Sequence, residues 1–159
     1  MADEKMIQHA RNIYEKTKAV FTAKELKFDP IDDKMVIKTG IRGDDFPIDV
    51  TVIVNPNAQA ISMYSVLPFE VKEDKMAEMA LAVCVANNGM IQGGFDYDVK
   101  EGRVLTKISN SFIETDLSEE LIFVMFMRFA QLADEYNDRF FMLNKGLIDL
   151  EKFIELRQQ

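Results

Sequence analysis

Apolar positions along this chain recur in two rhythms, steps of three or four and steps of two, and the changes of rhythm fall at turn residues. Met6, Ile7, Ala10, Ile13, Tyr14, Thr17 and Phe21 form a helical stripe that opens at Asp3 or Glu4 and runs to about Thr22. A short extended piece at Leu26-Lys27-Phe28 leads through Asp29-Pro30 to a turn at Asp32-Asp33. Three strands follow, over residues 34–41, 46–54 and 58–66. The middle one is the clearest, with Phe46, Ile48, Val50, Val52 and Val54 set against Asp49, Thr51 and Ile53. Gly43-Asp44-Asp45 and Asn55-Pro56-Asn57 are loops short enough to make the strands antiparallel neighbours. Asp49, Thr51, Ser62 and Tyr64 share the face expected to meet solvent.

A second helix spans about residues 74–87. Met76, Met79, Ala80, Val83 and Asn87 share one side, and Ala77, Leu81, Cys84 and Val85 leave so little polar circumference that this helix is expected to be nearly buried. Phe95 and Tyr97 then alternate with Asp96 and Asp98 in a fourth strand, and residues 103–109 form a fifth. The longest period comes last. Leu121, Met125, Phe129, Leu132, Tyr136, Phe140 and Leu143 predict a helix from Leu117 to Leu143, with Asp116 and Glu119 as its capping box and Lys145-Gly146 as its stop. From Leu121 through Met127 every side chain is apolar, so Phe123, Val124 and Met127 fall off the main face and need cover of their own. Phe123, Val124, Phe126, Met127 and Ala130 are therefore the candidate protein-binding surface, in a homodimer or against a client. Residues 147–157 add a weak helical extension.

Helix, three-strand antiparallel meander, helix, β-hairpin and long C-terminal helix make an α+β fold, expected to be one domain over all 159 residues. A formal charge of -8 argues against phosphate-driven nucleic-acid binding and against docking on anionic membranes. The first residues, Met1-Ala2-Asp3-Glu4-Lys5, carry mixed charge where a secretory signal would be basic and then apolar. The lone Cys84 has no intrachain disulfide partner, and together these features predict a cytoplasmic protein.

Residues that would specify a reaction are sparse. His9 is the one histidine and is expected to be a helix-surface or partly packed residue, since a metal site needs further histidines or a cysteine cluster. Gly93-Gly94 follows a helix and precedes a strand, the reverse of a phosphate-binding loop. Cys84, inside an apolar helix without a cationic neighbour, is expected to be a buried and inert thiol. Asp29, Asp32 and Asp33 start like a calcium loop, but Lys34 and Met35 stand where oxygen ligands would continue. No catalytic, cofactor or metal site is assigned. The alternative is a small-ligand or metal-assisted hydrolytic enzyme, which requires Asp96, Asp98, Glu114 and Asp116 to meet in a cleft.

From Asn87 to Gly146 the chain resembles the YbjN-type domain, a bacterial family of candidate sensory transduction regulators. The resemblance is carried by Asn87-Asn88, Gly94-Phe95-Asp96-Tyr97-Asp98, Leu117-Ser118-Glu119-Glu120-Leu121-Ile122, Ala133-Asp134-Glu135-Tyr136 and Asn144-Lys145-Gly146. That family is similar in fold to type III secretion chaperones. The resemblance implies a small, acidic, commonly dimeric protein that holds a partly unfolded protein segment, with no catalytic set to carry over.

Overall fold

The computed structural model describes residues 2–157. Helix α1 (Glu4–Ala23) starts where Asp3 accepts a hydrogen bond from the Met6 N–H, and it buries Ala10, Ile13, Tyr14, Thr17, Val20 and Phe21. Four strands follow rather than three: β1 (Phe28–Ile31), β2 (Val36–Arg42), β3 (Pro47–Asn55) and β4 (Ala60–Val66). The extra strand is the extended piece around Phe28, which pairs antiparallel with β2 from Phe28↔Thr39 to Ile31↔Val36. It has only four residues and contains Pro30, which an edge strand tolerates because one of its sides needs no donor.

A 3-10 turn (Glu73–Lys75) and helix α2 (Met76–Asn87) carry the chain to the far side of the sheet, where β5 (Gly94–Asp98) and β6 (Arg103–Ser111) form a hairpin. The six strands are antiparallel in the order β1-β2-β3-β4-β6-β5. Helix α3 (Glu119–Lys145) and helix α4 (Leu150–Arg157) complete the fold. At 1.5 Å per residue α3 is about 40 Å long, enough to join two apolar clusters. One is built from α1, the inner residues of β2, β3 and β4, and Ile122, Met125, Phe126 and Phe129 of α3. The other gathers α2, Phe95, Val104, Tyr136, Phe140, Leu143 and Phe153.

Three expectations need correction. Helix α2 buries Met79, Ala82, Val83 and Ala86 but leaves Ala77, Leu81 and Cys84 exposed, with Leu81 at 55%. It packs on β5, α3 and α4 along one side only, so an apolar circumference did not become an enclosed one, and Cys84 is a surface thiol. The cap of α3 is Ser118, whose Oγ accepts from the Leu121 N–H at 3.1 Å; Asp116 instead pairs with Lys16. On the open face of the sheet Thr51 is buried, because Lys38 lies over it and donates to its hydroxyl at 2.6 Å. The Gly146 stop is as expected, at φ 72°, the left-handed conformation that favours glycine. The weak C-terminal stretch is the helix α4, anchored by fully buried Phe153 against Phe140 at 5.2 Å.

Candidate protein-binding site

The five candidate residues of α3 do not share one environment. Phe126 is enclosed within the chain, 2% exposed with its ring 4.9 Å from that of Phe21, so it belongs to the core and not to a surface. The outward ridge consists of half-buried Phe123 and Ala130 with Val124, 42% exposed, and Met127, 50% exposed. Lys24 extends from the end of α1 to place its ammonium 4.4 Å from the Phe123 ring centre. Between these helices lies a groove of about 430 Å³ with Val20, Ala23, Phe123 and Val124 in its walls and Glu119 and Glu120 at its rim. Farther along α3, Met127 and Ala130 meet Ile41 and Ile48 of the β2–β3 hairpin around a cleft of about 170 Å³.

That hairpin is also where the sheet is incomplete. β1 reaches only Thr39, so Gly40, Ile41 and Arg42 of β2 are paired to β3 on one side and to no strand on the other. A cleft of about 920 Å³ opens beside Gly40, bounded by Leu26, Lys27, Phe28, Lys38 and Asp49. The opposite edge of the sheet is treated differently. There Asn87, at the end of α2, accepts from the Phe95 N–H and donates to the Phe95 C=O, both at 2.8 Å, closing β5 with a side-chain amide. Gly94 is required beside this clip, because a Cβ there would sit 2.9 Å from Asn87 Oδ1. A second amide does the same for a loop: Asn144 accepts from Lys72 N–H and donates to Glu70 C=O, both at 2.9 Å. Both asparagines lie in the motifs that carried the family resemblance.

The free end of β2 is held firmly in place. The Asp44 N–H donates to Asp134 Oδ1 at 2.8 Å, and the Phe46 ring packs at a tilt against that of Phe141, 5.2 Å between centres. Gly43 leaves no room for a side chain, since a Cβ would lie 2.5 Å from both Asp134 Oδ1 and the Phe46 carbonyl. Burial pushes the Asp138 carboxyl above the usual range, and the nearby Asp45 charge adds to this. An anchored, unpaired stretch of strand next to apolar grooves can hold an extended polypeptide, its backbone taking the hydrogen bonds and its alternate side chains entering the grooves. Hydrophobic patterning located the α3 ridge. The bare end of β2 had no local signal, because it is defined by where β1 stops.

The carboxylates of the enzyme alternative are held separately. Asp96 pairs with Lys107, Asp116 with Lys16, and Asp98 accepts the N–H groups of Lys100 and Glu101 within its own turn. Lys16 holds the Asp116 carboxyl below the usual range. None of the clefts above is lined by these residues or by Glu114. Among the described residues no three His, Cys, Asp or Glu side chains form a group that could hold a metal ion. His9 packs its ring edge-on to Phe112 at 5.1 Å. No helix among the described residues is long and apolar enough to cross a membrane.

The sequence matches no known family profile and no curated protein. Its fold is similar to that of several solved structures. YbjN, a candidate transcription regulator from E. coli, has a TM-score of 0.56 at 12% identity, over 79% of this chain and 92% of that one. The HopA1–SchA chaperone–effector complex contains a chain with a TM-score of 0.55 at 16% identity, covering 80% of this chain and 95% of that one. A chain of the ExsC–ExsE complex has a TM-score of 0.58 at 11% identity, covering 80% and 92%. The six-stranded antiparallel sheet with its helices is the α+β fold shared by YbjN and the type III secretion chaperones.

Proposed function

We propose that this protein is a non-enzymatic, chaperone-like binding module that holds an extended segment of another protein at the free end of β2, flanked by the α3 ridge. The observation that carries this reading is the end of β2 past β1, where Ile41 and Arg42 have no strand on their outer side, with one cleft beside Gly40 and another beside Ile41 and Arg42. Fold likeness to a chaperone solved with its effector agrees with it. The whole chain acts as one domain, in the cytoplasm, where an exposed lone thiol such as Cys84 persists in reduced form.

The same reading makes the protein a homodimer, with a second copy on α2. Its outer face presents Ala77, Leu81 and Cys84, and its one acid, Glu78, is turned to Lys75 and to the Leu150 N–H. Two copies of a chain with charge -8 can approach there without opposing like charges.

A library of overlapping ten-residue peptides, screened by fluorescence anisotropy and followed by amide exchange, tests the binding site. Bound peptides are expected to slow exchange at Gly40–Arg42 and to be lost in Met127→Glu; absence of any bound peptide, or protection elsewhere, would refute it. Light scattering tests the dimer separately. Twice 18.3 kDa is expected for the natural chain and 18.3 kDa for Leu81→Glu. A monomeric natural chain at high concentration would remove the second copy and leave the binding site standing.

A further inference from the structure

We propose that the second copy crosses α2 antiparallel, about a two-fold axis at Leu81, so that Ile91 of each subunit seats against Leu147 of the partner subunit; this rests on the reading of α2 as the homodimer contact. Ile91 is 98% exposed, Leu147 69% and Leu81 55%, three of the four most exposed large apolar side chains among the described residues. They mark the two ends and the middle of a single helix. A two-fold contact uses one patch twice, and a patch laid out as end, middle and end covers itself when a second copy is set across it.

Local anchors fix both ends. Just past the last residue of α2, the Met90 N–H donates to the Asn87 C=O at 3.1 Å, and Met90 packs on the second apolar cluster. Its neighbour Ile91 projects away from that cluster, as do Ala77, Leu81 and Cys84 of α2. At the other end the Leu150 N–H donates to Glu78 Oε1 at 3.1 Å, and a Cβ built on Gly146 would lie 3.9 Å from Lys75 Cε. The turn between α3 and α4 is thereby held against the start of α2, with Ile148 packed inward and Leu147 outward. The 12 residues of α2 span about 18 Å, so each end lies about 9 Å from an axis at Leu81. Charge decides the direction. Glu73 and Asp74 are exposed just before α2, and a parallel pairing would bring those of two copies together. An antiparallel pairing sets them against the loop after α2 instead, and no charged residue occurs from Met79 to Phe95. Ala77 then faces the partner's Cys84, two small side chains that permit close approach of the helices.

Cross-linking reads the seat directly. In a Cys84→Ser background, Ile91→Cys/Leu147→Cys is expected to oxidise to a covalent species of twice 18.3 kDa and no larger, while either single variant stays at 18.3 kDa on a non-reducing gel. The two cysteines sit at opposite ends of α2, too far apart for a disulfide within one chain. Ile91→Asp is expected to raise the dimer dissociation constant by about a hundredfold, since each dimer buries the residue twice. It should leave the circular dichroism and thermal unfolding of the monomer unchanged, since Ile91 touches almost nothing in its own chain. Disulfides in a single variant, a dimeric double variant that does not cross-link, or an Ile91→Asp chain that dimerises as well as the natural one would each overturn the antiparallel seat and leave the α2 dimer standing. A monomeric natural chain would overturn both, and protection of the 88–92 amides by a bound peptide would then assign this face to a client.

Discussion

Asn137 and Asn144 lie seven residues apart on α3, 1% and 2% exposed, and the structure gives them opposite roles. Asn144 joins α3 to the loop before α2 through Lys72 N–H and Glu70 C=O. Neither amide atom of Asn137 has a partner among the described residues. Leucine at position 144 strands a donor and an acceptor. A fully buried unmet group costs about 1–3 kcal/mol, but Glu70 and Lys72 are surface residues and water recovers part of this, so the expected loss is about 2 kcal/mol. Leucine at position 137 removes a desolvated amide worth about 1–3 kcal/mol of penalty, offset by about 1–2 kcal/mol for fitting a branched side chain into a packed core. The expected result is unchanged stability or a gain of about 1 kcal/mol. Urea unfolding at pH 7 followed by helical circular dichroism measures both, and for a chain this size 1 kcal/mol corresponds to about 2–4 °C in Tm. If Asn137→Leu costs as much as Asn144→Leu, burial alone sets the value of these amides and the partner argument fails.

Three further outcomes follow from local geometry. Burial, and the hydrogen bond to Asp32, push the Tyr14 hydroxyl up to about 12; the native state therefore keeps a proton that the unfolded chain releases from about pH 10, stability falls between those values, and Tyr14→Phe is expected to lessen the fall in urea titrations across that window. Gly43→Ala forces Asp134 and the Phe46 carbonyl apart, and should cost about 1–3 kcal/mol in thermal unfolding while detaching the hairpin end from α3. Asp116→Asn breaks a surface ion pair with Lys16, and a change beyond about 1 kcal/mol would show that this pair is more than a solvated contact.

The alternation of Ile48, Val50, Val52 and Val54, the stripe from Leu121 to Leu143 and the Gly146 stop were legible because each depends on residues within one or two turns of itself. So was the excess apolar surface near Val124 and Met127. Distant partners decided the rest. Phe126 left that surface because Phe21, a hundred residues earlier, folds against it, and Phe28 became part of a strand because Thr39 pairs with it. Cys84 faces outward because α2 lies at the flank of the sheet, where neighbours cover one side only. The open end of β2 arises from the same cause: a strand's own residues set which way its side chains point, but whether its backbone is paired depends on how far the next strand runs.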